Sequence, residues 1–382
     1  MEYYKQLDGL RCLAVGGVLL QHWVNPKIIN PVGPGFFGVT LFFVISGFLI
    51  TEILLKQKDK GLDRGILIKN FFIRRSLRIL PIYFLLIFFL IAIDYELSRD
   101  VSSYLLTYTF NFWNAFTGEY GSRAVSHLWS LCVEEQFYLI WPFFIILVLN
   151  KRLISAFIII TASALFFRFY NAFNEVEHFQ MMNYRLTLSC LDSFAIGALF
   201  AYLKVYHINS LKSYFNSGRI YPLIIVLSIL YIFLRNFNGS LTLQETTLRF
   251  VASALSFCIL GISVLKGYKG LSGKLLENPN IKFIGQISYG IYLYHLPMEL
   301  FLSPYLNDLI SSTISPEHQI LKYLYFNRFL LTLPIFTVAT ILVSIVSFVY
   351  LEKPIMELKK HFEYKKPETS EELPITRKGK IA

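Results

Sequence analysis

The sequence predicts an all-α polytopic membrane protein of about ten transmembrane helices with both termini in the cytoplasm. Three observations lead there. The 382 residues are 55% hydrophobic with mean hydropathy +0.52, and only 16% are charged, whereas about a quarter are charged in an ordinary soluble domain. Apolar runs recur near 9–27, 36–55, 77–93, 130–149, 153–170, 187–206, 220–235, 246–265, 283–303 and 328–350. Each is close to the roughly 20 residues that cross a bilayer as a helix. Finally, a cytoplasmic N-terminus puts 27 of the 36 Lys and Arg on or near the cytoplasmic side, as the positive-inside rule requires.

That distribution also disposes of the other reading of a net charge of +11. The excess is a topology signal, so no nucleic-acid partner is expected. The four cysteines, Cys12, Cys132, Cys190 and Cys258, stand alone in apolar stretches. Without a CxxC pair they suggest small packing residues, and no metal site is expected. The first run is interrupted at its start by Asp8 and Arg11 and is followed by no clear cleavage site, so it is taken as a mature helix, not a signal peptide. The 94–127 connection holds an amphipathic segment, VSSYLLTYTFNFW, suited to the interface or to packing back on the bundle. Residues 1–355 are expected to form one transmembrane unit and 356–382 a short, polar, disordered cytoplasmic tail.

Ionisable residues inside spans are expensive and point to function. Arg11 and His22, eleven residues apart on the first helix, share one face roughly 16 Å apart along the axis. Glu134 and Glu135 on the fourth helix, Asp192 on the sixth and His295 on the ninth fall at depths comparable to that of His22. Ser288, Tyr292 and His295 form a polar stripe at i, i+4, i+7. Together these suggest an outward-opening chamber with His22 and Glu134 as its catalytic pair. A neutral imidazole takes a proton near pH 7, and a carboxylate can hold its tautomer. Ser46, in the second helix, could line the same chamber. Arg74, Arg75 and Arg78, before Pro81 and near Arg11 in depth, offer guanidinium forks to phosphate oxygens. No HExxH, GxSxG or P-loop motif occurs, which argues against metallohydrolase, serine hydrolase and nucleotide-motor chemistry.

The motifs LDGLRCLAVGGVLLQHW, FFGVTLFFVISGFLIT, FFIRRSLRILPIYF, HLWSLCVEEQFYLIWP, ISYGIYLYHLP and LEKP, in this order, resemble the acyltransferase-3 family of bacterial membrane O-acyltransferases over residues 5–355. The resemblance implies transfer of an acyl group, commonly acetyl from acetyl-CoA as co-substrate, to a hydroxyl, often of a sugar. It carries over His22 as base or acyl relay and Glu134 as the matching acid. It makes Arg11, Arg74, Arg75 and Arg78 contacts of the CoA phosphates; the polar chamber itself offers Ser46, Asp192, Tyr292 and His295 as candidate acceptor contacts. A carbohydrate or lipid-linked saccharide acceptor and a place in the bacterial cytoplasmic membrane follow. The rival expectation is a polysaccharide or glycolipid transporter or flippase. It lacks the matched pair of Gly/Pro-broken helices usual in transporters.

Overall fold

The computed structural model describes residues 3–93, 99–237, 241–313 and 327–362. Helices occupy all ten regions marked by the apolar runs. They are α1 (Leu7–Trp23), α2 (Pro34–Asp59), α3 (Arg64–Ala92), α4 (Trp129–Leu147), α5 (Leu153–Phe173), α6 (Thr187–Tyr206), α7 (Ile220–Arg235), α8 (Leu241–Leu265), α9 (Ser288–Thr313) and α10 (Phe329–Ser347). Among the described residues, seven helical stretches are long and apolar enough to cross a membrane. An eighth joins them if Ile208–Asn216 and α7, bent by 77°, count as one span. The two left out are α1, with 17 residues, and α9, which carries Pro297 and Pro304 inside a continuous helix. These two carry His22 and His295. The helices that look least like lipid-facing spans are the ones that bear the polar chemistry.

The centre of the bundle is α2. Its residues are apolar almost all round, the mark of a helix enclosed by others. Gly33 in the left-handed region and Pro34 at the first helical position set its start. Near its other end, Lys58 Nζ donates to the carbonyls of Ile145 and Val148, each at 2.8 Å, and so caps the orphan carbonyls where α4 ends. α2 packs against α1 on one side and α6 on the other.

The α2–α6 crossing is backbone on backbone. A Cβ added at Gly197 would collide with the Val44 carbonyl, and one at Gly47 with the Phe194 carbonyl. Small residues of this kind let membrane helices approach closely. We expect Gly197→Val to destabilise the protein by at least the ~1–3 kcal/mol typical of overpacking, because a helix carbonyl cannot rotate away. Gly16→Ala, where nothing lies within 4 Å of the added atom, is the matched control. Thermal unfolding in detergent should show a lowered Tm for the first only; an unchanged Gly197→Val would mean the helices simply slide apart.

The amphipathic segment of the 94–127 connection folds into helices Ser102–Leu106 and Phe110–Thr117. It packs back on the bundle, with Phe110 and Asn111 fully buried and Asn111 bonded to Gln136 and Thr187. Past α10 a π-helical turn, Phe348–Glu352, leads to short helices Lys353–Glu357 and Leu358–Phe362. The start of the expected disordered tail is therefore helical, and 363–382 lies outside the described residues.

Candidate active site

His22 sits in the last turn of α1. Its Nδ1 is 3.1 Å from Nε2 of His295 on α9, with ring centroids 4.9 Å apart. His127, in the single 3-10 turn that opens α4, stands edge-on to His295 at 4.7 Å. The pairings determine where the protons are. His295 Nδ1 lies 2.6 Å from the Tyr292 carbonyl, which can only accept, so that nitrogen carries the hydrogen. In the neutral ring its Nε2 is then an acceptor. His22 must therefore donate from Nδ1, which leaves a lone pair on His22 Nε2. His127 Nε2 faces the Leu293 carbonyl at 3.2 Å and donates to it, leaving its buried Nδ1 without a partner. His295 is fully buried, and its ring meets that of His22. His22 and His127 line a cavity of about 750 Å³ together with Tyr120, Trp129, Tyr184 and Arg185.

The rim at this end is clamped by Glu299. Its carboxylate accepts from Trp23 Nε1 at 3.1 Å and from Arg123 at 2.6 Å, and Arg123 also reaches the His22 carbonyl at 3.4 Å. The clamp fixes the end of α1 against α9.

A second, much narrower cavity with about 90 Å³ of free space lies toward the Arg11 end. Arg11, Arg75 and Arg78 line it. Arg11 pairs with Asp8 at 2.9 Å, and Arg75 lies 5.1 Å over the Tyr138 ring. Glu134 belongs here. Its carboxylate accepts from Ser46 Oγ and Tyr138 OH, each at 3.1 Å, and those two hydroxyls are 3.2 Å apart.

Tyr292 and Val39 line both cavities. Tyr292 OH donates to the His127 carbonyl at 3.0 Å and meets Ser130 Oγ at 2.6 Å. This wall is thin, and its phenol is tethered to the histidine segment.

Several expected placements need correction. Glu134 does not orient His22, whose ring partner is His295. Glu134 comes seven residues after His127, about 10 Å further along the helix, and so reaches the arginine cavity while His127 stays at the level of His22. Ser46 accompanies Glu134 and is absent from the histidine cavity. Asp192 lines neither cavity. It is fully buried in an ion pair with Arg168 at 2.7 Å, the arrangement that makes a carboxylate tolerable in a bilayer. Arg74 does not line the arginine cavity; it bonds the carbonyls of Lys359 and Phe362 instead. The sequence reading did not single out His127, Arg185 or Val39. Only His127 left a trace, as the polar residue opening the HLWSL block; the other two sit where packing alone makes them matter.

Fold and site together define a multi-pass helical membrane protein with a basic cavity and a histidine cavity on either side of a two-residue wall. The profile of the family described as "Acyltransferase domain" matches residues 4–350. A Staphylococcus aureus (strain COL) protein named "Putative O-acetyltransferase SACOL0978" is 30% identical over 367 residues, covering 87% of this chain and 55% of its own length. The "Peptidoglycan O-acetyltransferase OatA" of Listeria monocytogenes is 34% identical over 166 residues, 39% of this chain and 25% of its own. The chain thus spans about half the length of the first of these relatives. No solved structure matches it. The chain belongs to the acyltransferase-3 family.

Proposed function

We propose that the protein moves an acetyl group from cytoplasmic acetyl-CoA to a hydroxyl of a saccharide at the far side of the membrane, with His22 as the base. The observation that carries this reading is the pair of cavities sharing Val39 and Tyr292. One end offers guanidinium forks for the CoA phosphates. The other offers an imidazole with a free lone pair and aromatic walls on which a sugar ring can lie. The basic loops near Arg11 and Arg75 support a cytoplasmic location for that end through the positive-inside rule. The name of the listerial relative favours an acceptor of the peptidoglycan type.

In this reading the CoA head stays at Arg11, Arg75 and Arg78, and its slender arm passes the Val39–Tyr292 wall. His22 Nε2 removes the proton of the acceptor hydroxyl and the oxygen adds to the thioester carbonyl. The C–S bond then breaks, and the imidazolium returns its proton to the departing CoA sulfur. His295 holds the tautomer throughout by accepting from Nδ1.

The test is reconstitution of the purified chain in liposomes with acetyl-labelled CoA on the arginine side and muropeptide or oligosaccharide acceptors on the other. Labelled O-acetyl ester should form on the acceptor with stoichiometric release of CoA. Arg75→Ala should raise the KM for acetyl-CoA by roughly 10–10²-fold, as for loss of a charge-assisted contact, with kcat changed far less. Saccharide movement without CoA release would make the protein a transporter, and an unaltered KM would leave Arg75 a purely topological residue.

A further inference from the structure

Two buried arginines of this bundle are treated differently. Arg168, 1% exposed, donates to the Thr246 and Ser189 carbonyls and to the Asp192 carboxylate. Arg185 is 4% exposed, yet among the described residues its guanidinium has no hydrogen bond and no ion pair. Its Nε and Nη1 are buried without partners. Only rings hold it, Tyr120 at 4.7 Å and Trp129 at 5.8 Å. A buried, unpaired charge is costly, and ring contacts do not replace five N–H partners. The fold clearly can pair an arginine at this depth, because it pairs Arg168.

Arg185 also lines the cavity that His22 lines. Its main chain is fixed, since Asn111 donates to its carbonyl at 3.3 Å. Across Tyr184 stands Arg249, 3% exposed, which donates to the Tyr184 carbonyl at 2.7 Å while its own Nε and Nη1 lack partners. Arg249 lines a side chamber that shares Phe36, Tyr184, Arg235 and Glu245 with the main cavity. Glu245 is the one carboxylate among the residues lining either space, and the arginines that act on it are Arg249, Arg168 and Arg235, not Arg185. The cationic groups outnumber it.

We propose that the acceptor carries an anionic group, a carboxylate or a phosphate, and that Arg185 receives it with a planar two-donor fork while a neighbouring hydroxyl reaches His22. This rests on the transferase reading above and narrows its acceptor to acidic saccharides. The energetics are consistent. An anion between Tyr120 and Trp129 would satisfy donors that the protein itself leaves unbonded, in a region where water competes poorly. A neutral sugar would stack on the same rings and leave the charge unpaired.

Binding to the purified full-length chain tests this without knowledge of the natural acceptor. The probes are one tetrasaccharide in three forms: with a single uronate, with that carboxylate as its methyl ester, and with a 6-phosphate in its place. Wild type should bind the charged forms more tightly than the ester by on the order of 10–10²-fold, and the tighter of the two names the anion. Arg185→Gln should erase that preference while leaving ester binding and acetyl-CoA binding as they were. Arg185→Lys, which keeps charge but loses the fork, should retain a smaller preference and serves if the glutamine variant does not fold. Equal binding of all three probes by wild type overturns the proposal, as does a preference that survives Arg185→Gln. If labelled acetyl is transferred but no anion preference is found, this inference fails and the transferase reading stands. An Arg185-dependent preference without any acetyl transfer has the opposite meaning.

Discussion

Replacing His22 by alanine should abolish acetyl transfer while the protein still inserts and still binds acetyl-CoA. The lone pair on His22 Nε2 follows from a chain of one-way hydrogen bonds: Tyr292 carbonyl, His295 Nδ1–H, His295 Nε2, His22 Nδ1–H. Of the other histidines lining this cavity, His178 faces Glu177. His127 stands behind a different carbonyl, and its free nitrogen is buried. Loss of a positioned base costs about 10²–10⁴ in rate; the loss is larger if His22 carries the acyl group itself. The fold should survive, since His295 keeps its bond to Tyr292 and the Glu299 clamp holds Trp23 and Arg123, not the imidazole. The measurement is initial transfer rate in proteoliposomes beside acetyl-CoA affinity in detergent. A rate within about tenfold of wild type, below the range for any positioned base, would remove His22 from the chemistry.

Val39→Trp should stop transfer just as firmly, by another route. Val39 is nearly buried and shares with Tyr292 the wall between the two cavities. An indole there fills the only shared boundary that the two sets of lining residues define. It should leave the arginines free to hold the CoA phosphates. The acetyl group would then be bound and stranded. The expected loss in kcat is on the order of 10² or more, the effect of displacing reacting atoms by even an ångström, with little change in acetyl-CoA affinity. Val39→Phe should fall between, so activity declines with side-chain volume. A tryptophan variant that transfers at the wild-type rate would mean that donor and acceptor do not meet across this wall.

Much of this architecture was legible because a bilayer writes its thickness into sequence. Ten runs near 20 apolar residues became ten helical regions, and Pro34 behind Gly33 opens the second. His22 and His295 were visible for the converse reason, that a polar group in hydrocarbon needs a purpose, and Arg75 and Arg78 as a cluster of phosphate-matching guanidinium groups. Glu134 and Asp192 show where that reasoning stops. Both were assigned by depth to the His22 chamber. Glu134 bonds Ser46 and Tyr138 in the other cavity, and Asp192 neutralises Arg168. Depth along a helix can be counted from residues, but the rotation of each helix against its neighbours is set by packing between segments distant in sequence.

Arg185 makes the same point in reverse. From its position in sequence it is a charge in a connection between spans, one of 36 basic residues. Its importance lies in the lack of a counter-charge, and that depends on every element folded around it. The sequence by itself determined the membrane setting, the helices, the family and the residue most worth mutating, because each is encoded in local runs and spacings. Only the tertiary structure decided that His22 is paired with His295, that Val39 and Tyr292 line both cavities, and that Arg185 is buried with its Nε and Nη1 unpartnered. Those facts concern side chains brought together from separate helices, and helix–helix packing, not any local preference, chooses their partners.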